Sequence, residues 1–212
     1  MLIPGLSNRD AESVFVGTVA ASEVYLGATK VWPTFVAVEK LITTAGPFTY
    51  PVPVGCTKID VVVIGGGRGG DAAALTIDGK GGKCGVWNSK TWTVGVDVQA
   101  GGNITGTVGA CGAGGDGILI AGEAGKSGGT TTVGSVTAAG GSNFTTGRDG
   151  ESPTAHTFNG RTYAGGAGGA GPYEDGSAGG PPGGGGQGGE GSLVGSKNGG
   201  AGGSGGVYLY FY

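Results

Sequence analysis

Glycine is the residue that most constrains how this chain can fold, because it supplies 55 of the 212 residues. Most of these glycines follow residue 100, in runs at 109–117, 164–171, 179–191 and 199–206. A strict Gly-X-Y repeat is absent, which excludes collagen. Glycine and proline together reach about 30%, a share typical of disordered chains. Charged residues are only 13%, however, and hydrophobic residues are 37%. Disordered segments are usually richer in charge, so we expect an ordered structure that uses the glycine runs.

Short apolar runs between the glycines predict β-strands. The stretch 57–64 is mostly apolar, and 91–99 places Trp92, Val94, Val96 and Val98 on one side, in the period-2 pattern of a half-buried strand. Further strands are predicted at 48–55 (with a turn), 104–108, 118–120, 130–136 and 207–212. The last is apolar or aromatic on both faces, which predicts burial in a sandwich or against another copy. Every ten-residue window of helical periodicity is interrupted by glycine, so the chain is predicted to be all-β.

Glycine runs can also be structural elements in their own right. Polyproline-II-like helices have three residues per turn and no internal hydrogen bonds. Because glycine has no Cβ, several such helices can pack closely and pair their peptide groups, which satisfies the hydrogen bonds that buried backbone requires. The conformational entropy lost by glycine must then be recovered through those bonds and through anchoring in a β-framework. The strands at 57–64 and 207–212 suit that anchoring.

The sequence Gly65-x-Gly67-x-x-Gly70, directly after the strand at 57–64, satisfies the letter of the dinucleotide-binding fingerprint. That site requires a helix whose first N–H groups hold the pyrophosphate. Glycines at 79, 81, 82 and 85 would stop such a helix after about two turns, since each costs about 1 kcal/mol relative to alanine. A nucleotide-binding, flavoprotein-like protein is therefore the remote alternative, and we expect Arg68 to be a solvated or inter-subunit side chain.

The first 46 residues predict an attachment segment with an irregular arm and a β-hairpin, followed by a glycine-rich β-domain at 47–212. Two β-prone arms surround Gly27-Ala28-Thr29-Lys30, and a proline closes the second arm. The run Tyr-Leu-Gly-Ala-Thr-Lys-Val-Trp-Pro resembles a short motif near the start of bacteriophage minor tail proteins. A plain hairpin of any β protein is the alternative. The resemblance implies the tail-attachment residues Tyr25, Leu26, Val31, Trp32 and Pro33.

The order of motifs over 47–212 resembles the glycine-rich domain of phage tail and tail-fibre proteins. It comprises Phe-Thr-x-Pro, the apolar strand, Gly-Gly-Gly, Thr-Val-x-Val, Gly-Gly-Thr-Thr-Thr-Val, the long glycine runs and a closing Gly-Gly-Val-Tyr-Leu-Tyr. The resemblance implies an antiparallel β-sandwich with inserted polyglycine II helices, and a homotrimer. The glycine-rich region of anaplastic lymphoma kinase-type receptors has a similar layout, but no secretory signal peptide is visible, which favours the phage family.

Large or polar side chains between the glycine runs are candidate contacts with a host surface, since binding residues usually lie on loops carried by a rigid frame. They are Asn143, Phe144, Arg148, His156, Phe158, Arg161, Tyr163, Tyr173 and Glu174. Aromatic rings beside hydrogen-bonding groups suit a glycan or lipid of the cell envelope. The alternative for Phe144, Phe158 and Tyr163 is packing over the edges of the glycine bundle. The tryptophans, expected in the core or at subunit contacts, are Trp32, Trp87 and Trp92.

Nothing in the sequence predicts catalysis, a cofactor or a metal site. His156 is the only histidine, and no Ser/His/Asp or Cys/His arrangement can be proposed around it. The cysteines Cys56, Cys84 and Cys111 lack CxxC spacing and fit neither a disulfide framework nor a zinc site. We therefore expect a non-enzymatic protein with reduced thiols.

Charge and hydropathy limit the kinds of partner that the chain can have. The formal net charge is −3, and lysines and arginines are scattered singly, which disfavours a nucleic acid. Since 18 consecutive apolar residues occur nowhere, we expect no membrane insertion. The chain is thus predicted to be a virion protein of a phage tail tip, made in the host bacterial cytoplasm, which docks on other tail-tip proteins and contributes to adsorption. A purely structural tail-tip scaffold without receptor contact is the alternative.

Overall fold

The computed structural model describes residues 35–118, 121–172, 174–193 and 195–212, together with the backbone of four short strands before them. These strands are β1 (Val14–Val16), β2 (Val19–Ala21), β3 (Val24–Leu26) and β4 (Thr29–Trp32). β1 pairs with β2, and β3 with β4, both antiparallel. The hairpin predicted in the attachment segment is thus confirmed as β3–β4, while Pro33 lies outside the described residues.

Two four-stranded antiparallel sheets form the framework. The first sheet contains β5 (Val38–Ile42), β7 (Lys58–Ile64), β8 (Trp87–Thr93) and β16 (Gly206–Phe211), in the order β5-β16-β7-β8. The second contains β6 (Gly46–Pro51), β9 (Asn103–Val108), β12 (Thr131–Val133) and β13 (Val136–Ala138), in the order β13-β12-β9-β6. Two further hairpins are β10 (Gly117–Ile118) with β11 (Ala121–Gly122), and β14 (His156–Phe158) with β15 (Arg161–Tyr163). The part of the chain that the structure describes contains no helix, so the predicted all-β class is confirmed.

One hydrophobic core lies between the two sheets, and its members follow the period of two along each strand. The core side chains of the two central strands of the first sheet, and those that face them from the second, are Ile59, Val61, Val63, Val207, Leu209, Phe211, Ile104, Val108, Val133 and Val136. Burial of one such side chain favours folding by about 1.5–3 kcal/mol. A slip by one residue would turn this set outward, so the core fixes the register of both sheets.

The central strands are buried on their outer faces as well. Val62 of β7 and Tyr208 of β16 point away from the core and form a second cluster with Tyr163 of β15. Trp87 and Phe158 pack against this cluster. The burial predicted for both faces of 207–212 is therefore confirmed, and within one chain.

The strand predicted at 91–99 is wrong in its bounds. β8 ends at Thr93, because Gly95 has a φ of +88° and lies in a turn. The Asp97 carboxylate stabilises that turn by accepting the Thr93 N–H over 2.9 Å. Val96 is consequently 83% exposed, whereas Trp92 is buried in the core as predicted.

Two hairpins differ from the prediction. The stretch 130–136, predicted as one strand, contains the turn of hairpin β12–β13, because Gly134 adopts a φ of +52° there. Hairpin β14–β15 was not predicted at all. Its turn is Asn159-Gly160, whose φ values of +47° and +74° suit the type I′ turn that Asn-Gly favours. That dipeptide is the sequence signal that identifies the hairpin.

The first sheet begins before the predicted domain boundary at 46–47. β5 precedes that boundary, yet it pairs along its whole length with β16. Phe35, which lies further upstream, packs against the core.

Segments outside the sheets form what we call the glycine array: 65–73, 79–85, 109–115, 123–129, 139–151, 164–172, 174–180, 183–190 and 197–205. Backbone hydrogen bonds join these segments. In 65–73, every third amide donates to the same neighbouring segment. Gly66, Gly69 and Ala72 donate to the carbonyls of Gly129, Lys126 and Glu123, and Gly67, Gly70 and Ala73 donate to those of Gly203, Gly200 and Lys197.

This period of three is the one expected of helices with three residues per turn. Burial has the same period, since Gly109, Gly112 and Gly115 are buried and the residues between them are exposed or half-buried. The polyglycine II conformation itself stays a prediction. Glycine is required by the close approach of backbones: a Cβ added at Gly67 would lie 1.9 Å from the Gly184 carbonyl oxygen.

Candidate functional site

Two segments of the array are enclosed by other segments, and each carries one long polar side chain among glycines. Residues 65–70 contain Arg68 and residues 183–189 contain Gln187, and both side chains are buried. Segment 65–70 donates to three neighbouring segments and accepts from three more. The accepted bonds run to the carbonyls of Gly66, Gly67, Arg68 and Gly70 from the amides of Gly141, Gly112, Gly186 and Gly115.

The Arg68 side chain supplies a hydrogen bond to segment 65–70 at the point where the neighbouring segment 139–151 no longer donates one. Gly66 O accepts the Gly141 N–H. Three residues after Gly141, however, Phe144 pairs with Gly82 of segment 79–85 and not with segment 65–70. Gly69 O, one turn further along, accepts Arg68 Nη1 over 3.1 Å instead. Nη2 of the same guanidinium lies 2.8 Å from Asp71. The expectation that Arg68 is solvated or inter-subunit is therefore wrong, because it replaces a missing peptide N–H inside the array.

A second guanidinium has the same role beside segment 183–189. The Gly169 N–H donates to Gly185 O, but three residues later Pro172 has no N–H to offer Gly188 O. Arg148 Nε donates to Gly188 O, and Arg148 Nη2 to Pro172 O, both over 3.3 Å. Arg148 is half-buried and its guanidinium holds two array segments together, so its role as a host contact stays a prediction.

The fingerprint glycines are used by the array in the same way. The amides of Gly65, Gly67 and Gly70 donate to the carbonyls of Val86, Gly203 and Gly200, and the segment lies in no helix. These N–H groups are therefore occupied, and the geometry that a bound pyrophosphate requires is not formed there.

The array ends, away from the sheets, in three neighbouring connections that we call the distal turns: 74–78, 117–122 and 190–196, of which residues 119, 120 and 194 lie outside the described part. Segment 65–73 leaves the end of β7 and runs toward them. Ser196 Oγ donates to Ile118 O, and the Gly191 N–H donates to Asp78 Oδ1, both over 2.8 Å. These bonds place the turns side by side.

Aliphatic side chains stand out from the distal turns into solvent. Leu75 is 42% exposed, Ile118 53%, Ile77 69% and Leu193 81%. A large aliphatic residue between glycine runs is the sequence signal for such a position, and none of the four was predicted to be exposed.

Beside the distal turns lies a pocket of about 260 Å³, which we call the Phe144 pocket. The side chains that matter for its chemistry are Asp71, Ile77, Asp78, Lys80, Glu123 and Phe144. Phe144 is 47% exposed. Its ring centroid lies 4.5 Å from Lys80 Nζ and 5.4 Å from the Arg68 guanidinium carbon. The pocket thus combines an aromatic ring, an ammonium group and carboxylates, and only Phe144 among them was predicted.

The hairpin β14–β15 covers the outer face of the first sheet. The His156 ring stacks on Trp87, with centroids 5.4 Å apart, and its Nε2 lies 3.1 Å from Ser89 Oγ. Tyr163 meets Tyr208 edge-on at 5.2 Å. The Ser–His contact was not expected from the sequence, and it lies in the packed interface between β8 and the hairpin.

The predicted host-contact residues therefore fall in separate places. Asn143 and Phe144 lie on the side of the array. Glu174 is exposed, and its carbonyl accepts the Glu190 N–H beside the distal turns. Tyr173 lies outside the described residues. His156, Phe158, Arg161 and Tyr163 are on the hairpin.

Two of the hairpin residues are engaged within the chain. Tyr163 is only 2% exposed, so its prediction as a host contact is corrected in favour of the packing alternative. Arg161 forms an ion pair with Glu39 of β5, and its guanidinium carbon lies 3.7 Å from the Tyr210 ring centroid. These contacts fasten the hairpin to the sheet.

All three cysteines are free thiols, in different surroundings. Burial raises the pKa of Cys56. Cys84 Sγ lies 3.2 Å from Glu151 Oε2, and burial, followed by the hydrogen bond and charge of that carboxylate, raises the Cys84 pKa to about 12. Burial alone would raise the pKa of Glu151, but hydrogen bonds from Cys84 and Lys83 lower it below its ordinary value.

Neither a membrane span nor a metal cluster is found in the described part of the chain. No helix there has the length and apolar character needed to cross a bilayer. No three His, Cys, Asp or Glu side chains there are grouped so as to hold a metal ion.

Comparison with known proteins gives the family. A model of the glycine-rich domain family matches residues 43–148, half of the chain. The Gene 32 protein of Mycobacterium phage L5 is 39% identical over 169 residues, which cover 73% of this chain and 76% of that protein. The Gene 32 protein of Mycobacterium phage D29 is 38% identical over 118 residues, which cover 54% of this chain and 53% of that protein. The chain therefore belongs to the glycine-rich domain family and is a homologue of these mycobacteriophage proteins.

Proposed function

We propose that this chain is a structural virion protein, a minor tail protein of a phage tail tip, whose distal turns face the host surface and contribute to adsorption. The observation that carries the proposal is the exposure of Ile77, Ile118 and Leu193 on adjacent turns at the free end of the array. Exposed apolar patches on soluble proteins usually mark interaction sites. The homology to phage proteins supports a phage setting for that interaction.

The array suits this role because it is a rigid carrier. A Cβ added at Gly70 would lie 2.0 Å from Gln187 O, and one added at Gly202 would lie 2.1 Å from Gly67 O. Segments packed this closely, with their amides paired across the array, fix where the distal turns emerge. Binding loops are typically carried on such frames.

Attachment to the virion is assigned to residues 1–46. The hairpin β3–β4 contains Tyr25, Leu26, Val31 and Trp32, and Pro33 follows it, in the order of the minor-tail motif that it resembles. In this proposal the segment docks on other tail-tip proteins, and the chain is a homotrimer around the tail axis, as the resemblance to tail fibres implies.

The proposed role is non-enzymatic. His156 is held between a stacked Trp87 ring and Ser89 within a packed interface. That position suits a structural contact between the hairpin and β8, and the proposal gives it no other task.

The test is adsorption of phage that carry Ile77→Asn and Leu193→Asn together. Loss of one buried aliphatic contact costs about 1.5–3 kcal/mol, and about 1.4 kcal/mol corresponds to a factor of ten in affinity. The equilibrium affinity of the phage for host cells, measured as adsorption at several cell densities, should therefore fall at least about tenfold, with normal particle yield. The matched control is Val96→Asn, which changes an equally exposed aliphatic residue on the sandwich and should adsorb normally.

Normal adsorption of the double variant would contradict host contact and favour the purely structural scaffold. Equal loss of adsorption in the control would also contradict the proposal, because it would show that the effect is not specific to the distal turns.

A further inference from the structure

We infer that the Phe144 pocket binds one uncharged sugar ring of an envelope glycan. The inference deepens the proposed host contact and rests on it. The pocket opens beside the distal turns, so a ligand held there would lie at the surface that the proposal turns toward the host.

The size of the pocket suits a single ring. At about 260 Å³ it lies just below the roughly 300–1,000 Å³ of sites for drug-sized ligands. An extended glycan would therefore place one sugar ring in the pocket and leave its other rings outside. This is the geometry expected for one residue of a surface polysaccharide.

The walls of the pocket are fixed before any ligand arrives. A Cβ added at Gly79 would lie 2.0 Å from Asp71 O, and one added at Gly122 would lie 2.4 Å from Ala72 O. Backbone therefore packs directly on backbone around the pocket. Pre-organised walls lower the entropic cost of binding, which matters for a ligand with few apolar contacts.

The lining has an apolar part and a polar part. Phe144 and Ile77, together with the small side chains of Ala72, Ala74 and Ala124, supply the apolar part. A sugar ring has the matching amphipathic form, with C–H groups on its faces and hydroxyls around its edge. Carboxylate oxygens accept hydrogen bonds from hydroxyls, and the ammonium of a lysine donates to them.

The charges of the pocket favour an uncharged ligand. Three acidic residues, Asp71, Asp78 and Glu123, and one lysine, Lys80, line the pocket. Arg68 compensates the charge of the Asp71 carboxylate, which lies 2.8 Å from its guanidinium. Two carboxylates, those of Asp78 and Glu123, then remain against the one ammonium of Lys80. This excess of negative charge opposes phosphates and acidic sugars. A cationic ligand would have to displace Lys80 from its position 4.5 Å from the Phe144 ring centroid.

The test is ligand-observed NMR and titration of the full chain with defined probes. These are the methyl glycosides of glucose, galactose and mannose, with methyl glucuronide and methyl glucosaminide as the acidic and cationic counterparts. We expect at least one neutral glycoside to bind and both charged analogues to bind at least about tenfold more weakly. Phe144→Ala and Phe144→Leu should each weaken binding, alanine by at least about tenfold. The control Leu193→Ala, on a distal turn outside the pocket lining, should not.

Three results would overturn the inference: binding of none of the neutral glycosides, equal or tighter binding of a charged analogue, or binding that survives Phe144→Ala in a folded protein. Circular dichroism of each variant establishes folding. The proposed function fails separately, through normal adsorption of the Ile77/Leu193 double variant. If that variant adsorbs poorly while no glycoside binds, host contact stands and the sugar ligand is excluded.

Discussion

Asn159 donates its side-chain amide to Asp60 Oδ1 over 2.9 Å, and this bond ties the turn of hairpin β14–β15 to the central strand β7. Asp60 is buried, and the same oxygen accepts Thr91 Oγ1 at 2.6 Å and Tyr212 OH at 3.2 Å. The hairpin is thus held on a buried carboxylate whose charge is compensated by hydrogen bonds. This contact is one of several that hold the hairpin over the outer face of the first sheet.

Replacing Asn159 tests that contact. Glycine adopts the φ of +47° found there, so Asn159→Gly removes the amide without straining the turn and should lower the free energy of unfolding by about 1.5–3 kcal/mol. Asn159→Ala removes the same amide and adds left-handed strain of about 1–2 kcal/mol, so it should be the less stable variant. Urea denaturation measures both. Wild-type stability in Asn159→Gly would show that the bond contributes nothing.

Close packing of backbones in the array gives a second prediction. A Cβ at Gly67 would lie 1.9 Å from Gly184 O, whereas one at Gly147 would meet no atom within 4 Å. Gly67→Ala should therefore destabilise the chain by more than about 4 kcal/mol, the range of severe backbone or packing disruption. Gly147→Ala should stabilise it by about 0.4–1 kcal/mol, because alanine restricts the unfolded chain.

Thermal unfolding and soluble yield of the two alanine variants provide the measurement. Each variant makes the same chemical change, so the difference between them reports the packing at each position. Comparable stability of Gly67→Ala and Gly147→Ala would contradict the array as described.

The sequence was a good guide to the strands whose apolar side chains form the hydrophobic core. The apolar run at 57–64 predicted β7, and the strand at 207–212, which is apolar or aromatic on both faces, predicted β16 and its burial on both sides, because side-chain direction in a strand follows a period of two. The sequence was a poor guide to strand ends where a glycine with a positive φ forms a turn. Gly95 was interpreted as a residue within a strand, but its φ of +88° ends β8, and periodicity carries no information on that angle.

The candidate site depends on contacts between distant residues, which local patterns do not reveal. Phe144 meets Lys80 and Arg68 across more than sixty residues of sequence. Arg68 was expected to be a solvated or inter-subunit side chain, because the nucleotide fingerprint around it was rejected. Arg68 is buried because its guanidinium donates to Gly69 O, to which no peptide N–H of a neighbouring described segment donates. That lack of a peptide donor arises only when the array is assembled.

Arg68 gives a third prediction. Arg68→Met keeps much of the side-chain volume but leaves the Asp71 carboxylate and Gly69 O without this partner. Removing one member of a buried pair usually costs about 3–5 kcal/mol, so denaturant unfolding should show a loss of that size. The control is Arg161→Met, which breaks a half-exposed pair with Glu39 and should cost much less. Equal losses would contradict a special role for Arg68.

Cys84 gives a prediction for alkaline pH. Burial, followed by the hydrogen bond and charge of Glu151, raises the Cys84 pKa from its ordinary value of 9.0 to about 12. The folded chain therefore holds the thiol proton to a higher pH than the unfolded chain. The resulting stability is fully present below about pH 8.5, the ordinary range of a thiol, and it is lost as the pH rises toward the folded pKa.

Cys84→Ser removes this component, since a serine hydroxyl does not titrate in that range. The free energy of unfolding should then fall less steeply between pH 9 and 11 than in the wild type, by less than about 1.4 kcal/mol per pH unit, because solvent reaches the half-buried thiol. Tyr163 and Tyr208, whose pKa values burial also raises, keep a residual slope in both proteins. Cys111→Ser, which removes an exposed thiol and retains Cys84, should keep the wild-type slope. Identical slopes in all three proteins, measured by denaturation at fixed ionic strength, would show that the Cys84 pKa is not raised in the folded chain.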